Sequence, residues 1–241
     1  MQKILVISGC TAVGKSDFAL NLSKILNMEI ISADSVQVYK GIEIATSKPT
    51  KEEMAQCKHH LVNFISPFET FNAYDFVENA TKAIDEIAEK GKLPVIVGGT
   101  GLYIDSLLKG FDFQGSKQPP QYDYKYIFLN DDRANIYSKI NKRVDKMMQA
   151  GLVLEVKALR KIGVNKNCQC MQAIGYKEIW EYLDGETTLA NAVELMKKNT
   201  RNYAKRQVTW FKNNGLAEEW FIADKDKLIN YLVQNFQEYQ K

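Results

Sequence analysis

The sequence predicts an α/β fold in which helices flank a parallel β-sheet, followed by a mainly helical C-terminal part. Short apolar runs alternate with amphipathic segments over the first 132 residues, a pattern typical of β-α-β units and a parallel sheet. After residue 132, long basic segments with helical periodicity replace the apolar runs. We therefore expect one domain, with a core over residues 1–132, a helical part over 133–216 and a C-terminal strand and helix over 217–241.

The predicted strands are short apolar runs of the kind that parallel sheets bury on both faces. They lie at residues 3–8, 29–33, 93–99 and 124–130. In such sheets, ligands bind beyond the carboxyl ends of the strands. The segments that follow the first three strands are therefore predicted to line one crevice.

The predicted helices place apolar residues at the spacing of one helical face. In residues 73–91, Phe76, Ala80 and Ile87 share one face, and Gly91 ends the helix. A predicted helix over residues 188–215 would be roughly 40 Å long at ~1.5 Å per residue. The other predicted helices lie at residues 15–26, 101–110, 133–151 and 152–163.

The composition is ordinary for a soluble globular protein, with 45% hydrophobic and 25% charged residues and a formal net charge of +3. That charge is too small to indicate a nucleic-acid partner by itself. The first residues lack the apolar segment of a signal peptide, and no stretch approaches the roughly 20 apolar residues that span a bilayer. We therefore expect a cytoplasmic protein without a membrane partner.

The cysteines do not have the spacing of a zinc site. One residue separates Cys168 from Cys170, whereas common zinc knuckles separate paired cysteines by two, and no second pair follows. We expect Cys10, Cys57, Cys168 and Cys170 to be free cytosolic thiols.

Residues 9–16, GCTAVGKS, match the P-loop pattern between a predicted strand and a predicted helix. The glycines let backbone N–H groups turn toward a phosphate, and the helix N-terminus adds partial positive charge. Lys15 supplies a full charge, and the Ser16 hydroxyl is a candidate ligand of Mg²⁺. The motif indicates a polyphosphate but no reaction, so a nucleotide kinase or an NTPase remains open at this point.

The second predicted strand is followed by DSVQVY, residues 34–39. Asp34 or Ser35 could simply cap a helix. However, a carboxylate beside a polyphosphate would be repelled unless a metal or basic groups intervene, which favours a proton donor as the partner of Asp34. The third strand ends in GGTGLY, which offers backbone amides and the Thr100 hydroxyl to the same crevice.

Basic and aromatic side chains alternate along residues 197–214. Basic side chains follow phosphates, and aromatic rings stack on splayed bases for about 1–3 kcal/mol each. The alternative is an amphipathic helix with buried aromatic residues and solvated lysines. The residues concerned are Lys197, Lys198, Arg201, Tyr203, Lys205, Arg206, Trp210, Phe211 and Lys212.

Together these motifs resemble the tRNA dimethylallyltransferase family, also called the IPP transferase family. The matching strings follow in order from the P-loop to residue 211: GCTAVGKS, DSVQVYKGIEIATSKP, HHLVNFISP, PVIVGGTGLY, INKRVDKMMQAGLVLEV, MQAIGYKE and TRNYAKRQVTWF. DSVQVYKG and AKRQVTWF are especially specific. The resemblance implies a P-loop NTPase-like fold. It also implies transfer of a dimethylallyl group from dimethylallyl diphosphate to N6 of adenosine 37, next to the tRNA anticodon.

In that family the P-loop holds the diphosphate of the prenyl donor, and no nucleotide is hydrolysed. The resemblance implies that Lys15, Arg143 and Mg²⁺ neutralise the leaving diphosphate and that Thr11 contacts the reacting groups. Asp34 would accept the proton of the adenine N6 amine as the C–N bond forms. Without the resemblance, Arg143 would be assigned to a solvated helix face. The implied diphosphate-binding residues are Gly9, Cys10, Thr11, Ala12, Val13, Gly14, Lys15, Ser16 and Thr100.

The resemblance also implies a tRNA partner, bound through its anticodon stem-loop, and we expect the protein to be a monomer. The target adenine has to be flipped out, because its amine cannot be reached inside a stack. The implied RNA contacts are Asp34, Ser35, Val36, Gln37, Gly175, Tyr176, Lys177, Arg201, Lys205, Arg206, Gln207 and Trp210.

The sequence departs from the family pattern mainly in length. Family members carry a helical insertion that grips the anticodon arm, whereas only a short polar stretch lies between Phe113 and Tyr124. Lys139 stands where the family usually has an arginine, and Cys10 where it usually has a proline. We expect weaker or altered tRNA selectivity. Two alternatives remain: a prenyltransferase of free adenine nucleotides, and a non-catalytic RNA-binding P-loop protein.

Overall fold

The computed structural model describes residues 1–110 and 122–241. The strands of this part are β1 (Gln2–Gly9), β2 (Met28–Ala33), β3 (His59–His60), β4 (Leu93–Gly98), β5 (Tyr122–Asn130) and β6 (Glu218–Phe221). Within the described residues they form one sheet in the order β3-β2-β4-β1-β5-β6, and neighbouring strands are parallel. The predicted α/β class with a parallel sheet is therefore confirmed.

Helices connect and cover the strands. They are α1 (Lys15–Ser23), α2 (Lys51–Gln56), α3 (Ala73–Glu89), α4 (Gly101–Lys109), α5 (Arg133–Gln149), α6 (Leu152–Lys161), α7 (Tyr176–Leu183), α8 (Leu189–Asn214) and α9 (Lys225–Asn235). The sequence predicts all of them except α2 and α7, and it also misses the short strand β3. Among residues 1–110 and 122–241, no helix combines the length and the apolar character needed to cross a membrane.

The sheet is buried on both faces, which explains its continuous apolar strands. Ile4 and Val6 of β1 point into an apolar cluster that includes the inner face of α3. Leu5 and Ile7 point to the opposite side, into a cluster built with α1, α5 and α9. Because side chains alternate along a strand, β1 serves both cores and fixes the register of the sheet.

The long helix α8 crosses the carboxyl edge of the sheet. Its Phe211 ring lies 5.0 Å from the ring of Phe128 and 6.0 Å from that of Tyr126, both on β5. Towards its N-terminal half, α8 packs on α5 and α7. The helix therefore joins the helical part to the core directly above the P-loop.

Candidate active site

The P-loop connects β1 to α1 through a strained backbone. Gly9, Ala12 and Gly14 have φ values of 155°, 65° and 108°. A Cβ on Gly9 would lie 2.5 Å from the carbonyl oxygen of Leu129, so the loop requires glycine there. The Lys15 ammonium donates to the carbonyl oxygens of Gly9 and Cys10 at 3.0 and 2.9 Å, and burial lowers its pKa to about 8. The loop thus holds a cation in place before any phosphate arrives.

Asp34 directly follows β2, and one of its two carboxylate oxygens is held by backbone hydrogen bonds. Oδ1 accepts hydrogen bonds from the backbone N–H groups of Val36 at 2.9 Å and Gln37 at 3.2 Å. Asp34 therefore caps the turn that follows β2, as the capping interpretation predicts, although the capped element is a turn and not a helix. The same carboxylate also lines both of the cavities at this edge, so a capping role and a chemical role are compatible.

Two cavities meet at the carboxyl edge of the sheet. The P-loop cavity, of about 110 Å³, is lined by Lys15, Ser16, Ser32, Gln37, His59 and Gly98, among others. The helix cavity, of about 310 Å³, is lined by residues that include Ser35, Val36, Met147, Ala173, Met196 and Thr200. Within the described residues, five side chains line both cavities and form what we term the junction: Thr11, Asp34, Thr46, Arg143 and Tyr203.

Arg143 reaches the junction from α5. Its Nη1 donates to the hydroxyl of Thr11 at 3.3 Å. Burial lowers the pKa of the guanidinium, and the negative charge of Asp34 opposes that change. The side chain therefore faces the crevice rather than solvent. The three predicted catalytic residues lie together, while their chemical roles remain predictions.

Gln207 of α8 links two strand ends. Its Oε1 accepts from the backbone N–H of Thr11, and its Nε2 donates to the carbonyl oxygen of Gly99, both at 2.8 Å. A Cβ on Gly99 would lie 2.2 Å from this Nε2, so any larger residue there would displace the Gln207 amide from this hydrogen bond. Nearby, the Thr100 hydroxyl accepts from the N–H of Ser35 at 3.2 Å. These contacts bring the ends of β1, β2 and β4 into one scaffold.

The residues after Asp34 divide between the cavities. Ser35 and Val36 line the helix cavity, while their predicted contact with the adenine stays a prediction. Gln37 instead lines the P-loop cavity, where its Nε2 donates to the carbonyl oxygens of Thr46 and Ser47 at 3.2 Å. Gln37 therefore holds the cavity wall in place.

The predicted RNA contacts differ in their exposure. Tyr176 is fully buried and Gln207 is 6% exposed, so these side chains support the site from inside. Gly175 is also buried, with a φ of 102° that favours glycine. Arg201 is half-buried and donates to Asn141 at 2.7 Å. Those exposed to solvent are Lys177, Lys205, Arg206 and Trp210.

The polar groups of the P-loop cavity fit a magnesium ion. The Ser16 hydroxyl follows Lys15 at the start of α1 and lines the cavity together with the Asp34 carboxylate. Mg²⁺ takes hydroxyl and carboxylate oxygens, usually with waters and substrate phosphates. The Ser16 hydroxyl is such a ligand, and the substrate diphosphate and waters would supply the remaining oxygens.

Comparison with known proteins identifies the family. The family model described as IPP transferase matches residues 37–120 and 112–214, which is more than half of the chain. The chain belongs to the IPP transferase family. The tRNA dimethylallyltransferase of Lactobacillus acidophilus is 40% identical over 300 residues, covering 95% of this chain and 97% of the relative. That of Caldanaerobacter subterraneus subsp. tengcongensis is 39% identical over 306 residues, covering 98% and 97%.

A solved structure agrees with this membership. The full-length tRNA isopentenylpyrophosphate transferase from Bacillus halodurans matches with a TM-score of 0.92 and 34% sequence identity. The match covers 99% of this IPP transferase and 98% of the Bacillus halodurans chain. The predicted P-loop NTPase-like fold is thus shared with a solved member of the family.

This IPP transferase is shorter than the relatives. Their aligned spans of 300 and 306 residues exceed its 241 residues, so they contain segments without a counterpart here. The two parts of the family match meet at residues 112–120, where the sequence predicts the shortened connection. The predicted loss of the insertion between Phe113 and Tyr124 falls largely on residues 111–121, which lie outside the described residues.

Sequence reasoning does not place Thr46 or Tyr203 of this IPP transferase at the junction. Tyr203 is recognised only as one of the aromatics interleaved with cations. A signal exists, because Tyr203 and Gln207 are four residues apart on α8 and so share a helical face. Using that signal requires knowing which face of α8 meets the sheet.

Proposed function

We propose that this chain transfers the dimethylallyl group of dimethylallyl diphosphate to N6 of adenosine 37, next to the tRNA anticodon, and releases diphosphate. One observation carries the proposal: Thr11, Asp34 and Arg143 lie where a P-loop cavity opens into a second cavity. A reaction that joins a diphosphate ester to a nucleobase needs such a meeting point. The tRNA dimethylallyltransferase names of the relatives support the same reaction.

The P-loop cavity would bind the donor. Lys15 is anchored on the loop, and Arg143 donates to Thr11 and lines the same cavity, so two cations border the position of the diphosphate. An allylic C–O bond breaks more readily when the charge that develops on its leaving group meets preorganised positive groups. Ser16 would hold Mg²⁺, which when bound supplies further neutralisation of this charge.

The helix cavity would receive the flipped adenine. As N6 bonds to the first carbon of the prenyl group, Asp34 accepts one proton from N6. A carboxylate is a weak base, but the amine becomes acidic as it bonds to carbon, so orientation matters more than basicity. The hydrogen bonds from Val36 and Gln37 set that orientation in advance.

The exposed cations of α8 would bind the anticodon stem-loop. Arg206 lines the helix cavity, and Lys205 and Trp210, which is 42% exposed, are further exposed residues of the same helix. Cations bind phosphates and exposed rings stack on bases, which favours RNA over a free nucleotide. The shorter chain supports the alternative acceptor, a free adenine nucleotide, because the relatives are longer. We expect a monomer with weaker affinity for the anticodon arm than longer relatives have.

A product assay tests this function. The protein is incubated with dimethylallyl diphosphate, Mg²⁺ and, separately, unmodified tRNA, an anticodon stem-loop and AMP, and mass spectrometry detects the prenyl mass. We expect prenylated tRNA and stem-loop. Prenylation of AMP alone would favour the free-nucleotide function. Absence of a prenyl product with all three acceptors, in a parallel incubation in which added ATP is consumed and its phosphate is transferred, would refute both.

Asp34→Asn is the matched variant for this assay. An asparagine Oδ1 still accepts hydrogen bonds from the N–H groups of Val36 and Gln37, so the turn is kept while the base is lost. We expect turnover to fall by roughly 10²–10⁴-fold, the usual contribution of a general base. Unchanged turnover would remove Asp34 from the proton transfer.

A further inference from the structure

Two of the junction residues, Thr46 and Tyr203, have no role in the mechanism above. The Thr46 hydroxyl donates to the carbonyl oxygens of Ile42 and Glu43 at 3.1 and 2.9 Å, so it is used within its own loop. Tyr203 is different, because it supplies the one aromatic ring among the junction residues of the described chain. Tyr203 lies where a prenyl donor bound in the P-loop cavity would contact an adenine bound in the helix cavity.

The hydroxyl of Tyr203 faces the scaffold that joins the strand ends. It lies near the side chains of Thr100 and Gln207, which favour its ionised form and so act to lower its pKa. Burial, reinforced by the negative charge of Asp34, raises the pKa of Tyr203 to about 12. A phenol with this pKa stays protonated at neutral pH and does not compete with Asp34 as a base. The part of Tyr203 that remains for chemistry is its ring.

The reaction places a positive charge at the junction. As the C–O bond of an allylic diphosphate breaks, positive charge develops on the allyl group, between the leaving group in one cavity and the amine in the other. The face of an aromatic ring attracts a cation, and the attraction is stronger where water is excluded. The Tyr203 ring already has a cationic neighbour, since the guanidinium of Arg206 lies 5.8 Å from its centroid.

We propose that Tyr203 is a catalytic residue whose ring stabilises the allylic cation through a cation–π interaction. The inference deepens the proposed function and rests on it. The electron pair of the C–O bond leaves with diphosphate, the N6 lone pair forms the new C–N bond, and the N6 proton passes to Asp34. Tyr203 exchanges no atom and no electron, and it lowers the barrier only while the charge exists.

The test is a graded change of the ring at position 203. Tyr203→Phe is compared with phenylalanines that carry one, two or three ring fluorines at the same position, because fluorine draws electron density from the ring face at little cost in size. Single-turnover prenylation of the stem-loop is measured. We expect Tyr203→Phe to keep the rate within about threefold, the fluorine series to slow it stepwise, and Tyr203→Leu to slow it roughly tenfold or more.

Binding measurements separate this role from packing. We expect affinities for dimethylallyl diphosphate and for the stem-loop to stay within about twofold across the series, since the ring acts mainly in the transition state. The control is Tyr182→Leu, which removes a partly buried ring of α7 that lines neither cavity. It should leave the rate unchanged. If a heavily fluorinated variant fails to fold, the single-fluorine variant still differs from Tyr203→Phe by one atom.

Two outcomes overturn the inference. A flat fluorine series in an active enzyme shows that the ring face does not act on the charge. A Tyr203→Phe variant as slow as Tyr203→Leu shows that the hydroxyl, and not the ring, is required. Both are distinct from failure of the proposed function, in which the unaltered protein prenylates neither RNA.

Discussion

The hydroxyl of Tyr176 donates a 2.5 Å hydrogen bond to the carboxylate of Glu155, and the two side chains together hold three successive backbone N–H groups. Glu155 accepts from Glu43 at 3.3 Å and from Ile44 at 3.2 Å, and the Tyr176 hydroxyl accepts from Ala45 at 3.3 Å. Ala45 lines the helix cavity. Helices α6 and α7 therefore fix the wall of the cavity that we assign to adenine.

Tyr176→Phe should loosen this wall. The change deprives the Glu155 carboxylate of a donor and the Ala45 N–H of its acceptor, so we expect the free energy of unfolding to fall by about 1–2 kcal/mol. The KM for RNA should rise several-fold, with a smaller change in kcat. The control is Tyr182→Phe on the same helix, for which we expect a loss below about 0.5 kcal/mol. Equal effects of the two variants in urea unfolding would contradict the assignment.

Gln207→Glu tests the link between the P-loop and the GGTG turn. The new carboxylate still accepts from the Thr11 N–H but places an oxygen, instead of the amide donor, against the Gly99 carbonyl. We expect a loss of about 2 kcal/mol in the free energy of unfolding and a lower kcat/KM for the prenyl donor. Gln234→Glu, an exposed position on α9, makes the same chemical change elsewhere. Wild-type behaviour of Gln207→Glu in both measurements would show that the bridge is dispensable.

Lys205→Ala tests the RNA-binding face of α8. Lys205 is exposed, and it makes no ion pair with other residues in the described ranges, so its charge is available to a phosphate. The slope of log affinity against log salt concentration should decrease by about 0.7–0.9 if one phosphate contact is lost. Lys227→Ala on α9 removes an equal charge from an exposed lysine paired with Asp224 and should leave the slope unchanged. Identical slopes for the two variants would exclude Lys205 from the interface.

The pattern of apolar and polar residues predicts most helices and strands of the fold. Two of the elements that it misses, α2 and β3, lack the apolar periodicity by which helices and strands are recognised. Helix α2 buries none of its residues, so it has no apolar face to reveal it. Its start is set by Thr50 and Glu53, a capping box readable as T-x-x-E. Strand β3 has only two residues, His59 and His60, too few for a periodic pattern.

In the site, too, some residues can be predicted from local sequence and others depend on tertiary packing. The P-loop and Asp34 are predictable because they directly follow strands, and strand ends gather at one edge of a parallel sheet. The burial of Gln207 and the place of Tyr203 depend on how α8 is rotated against that edge. Phe211 packs on β5 in this rotation, a tertiary contact that the helical spacing of α8 does not specify by itself.

Glu29 forms a buried ion cluster on the sheet. The side chain is 4% exposed, the Lys92 ammonium lies 2.8 Å from its Oε1, and the ring Nε2 of His60 lies 2.7 Å from its Oε2. Burial alone would raise the pKa of this carboxyl. Hydrogen bonds with Lys92 and His60 outweigh burial and lower the pKa from the ordinary 4.5 to about 2. The cluster therefore makes the fold more stable when Glu29 is ionised.

The sign of the pH dependence follows from this lowered pKa. The stabilisation is fully present above the unfolded-state pKa of 4.5 and is lost as the pH falls through about 2, because the unfolded chain takes up the proton first. Glu29→Gln should lower the free energy of unfolding by about 3 kcal/mol at pH 7. Urea unfolding should show this difference shrinking below about pH 4.5, whereas Glu78→Gln, in an exposed pair with Lys82, should give a small difference at every pH. A deficit for Glu29→Gln that persisted undiminished at pH 2.5 would mean that its ionisation does not stabilise the fold.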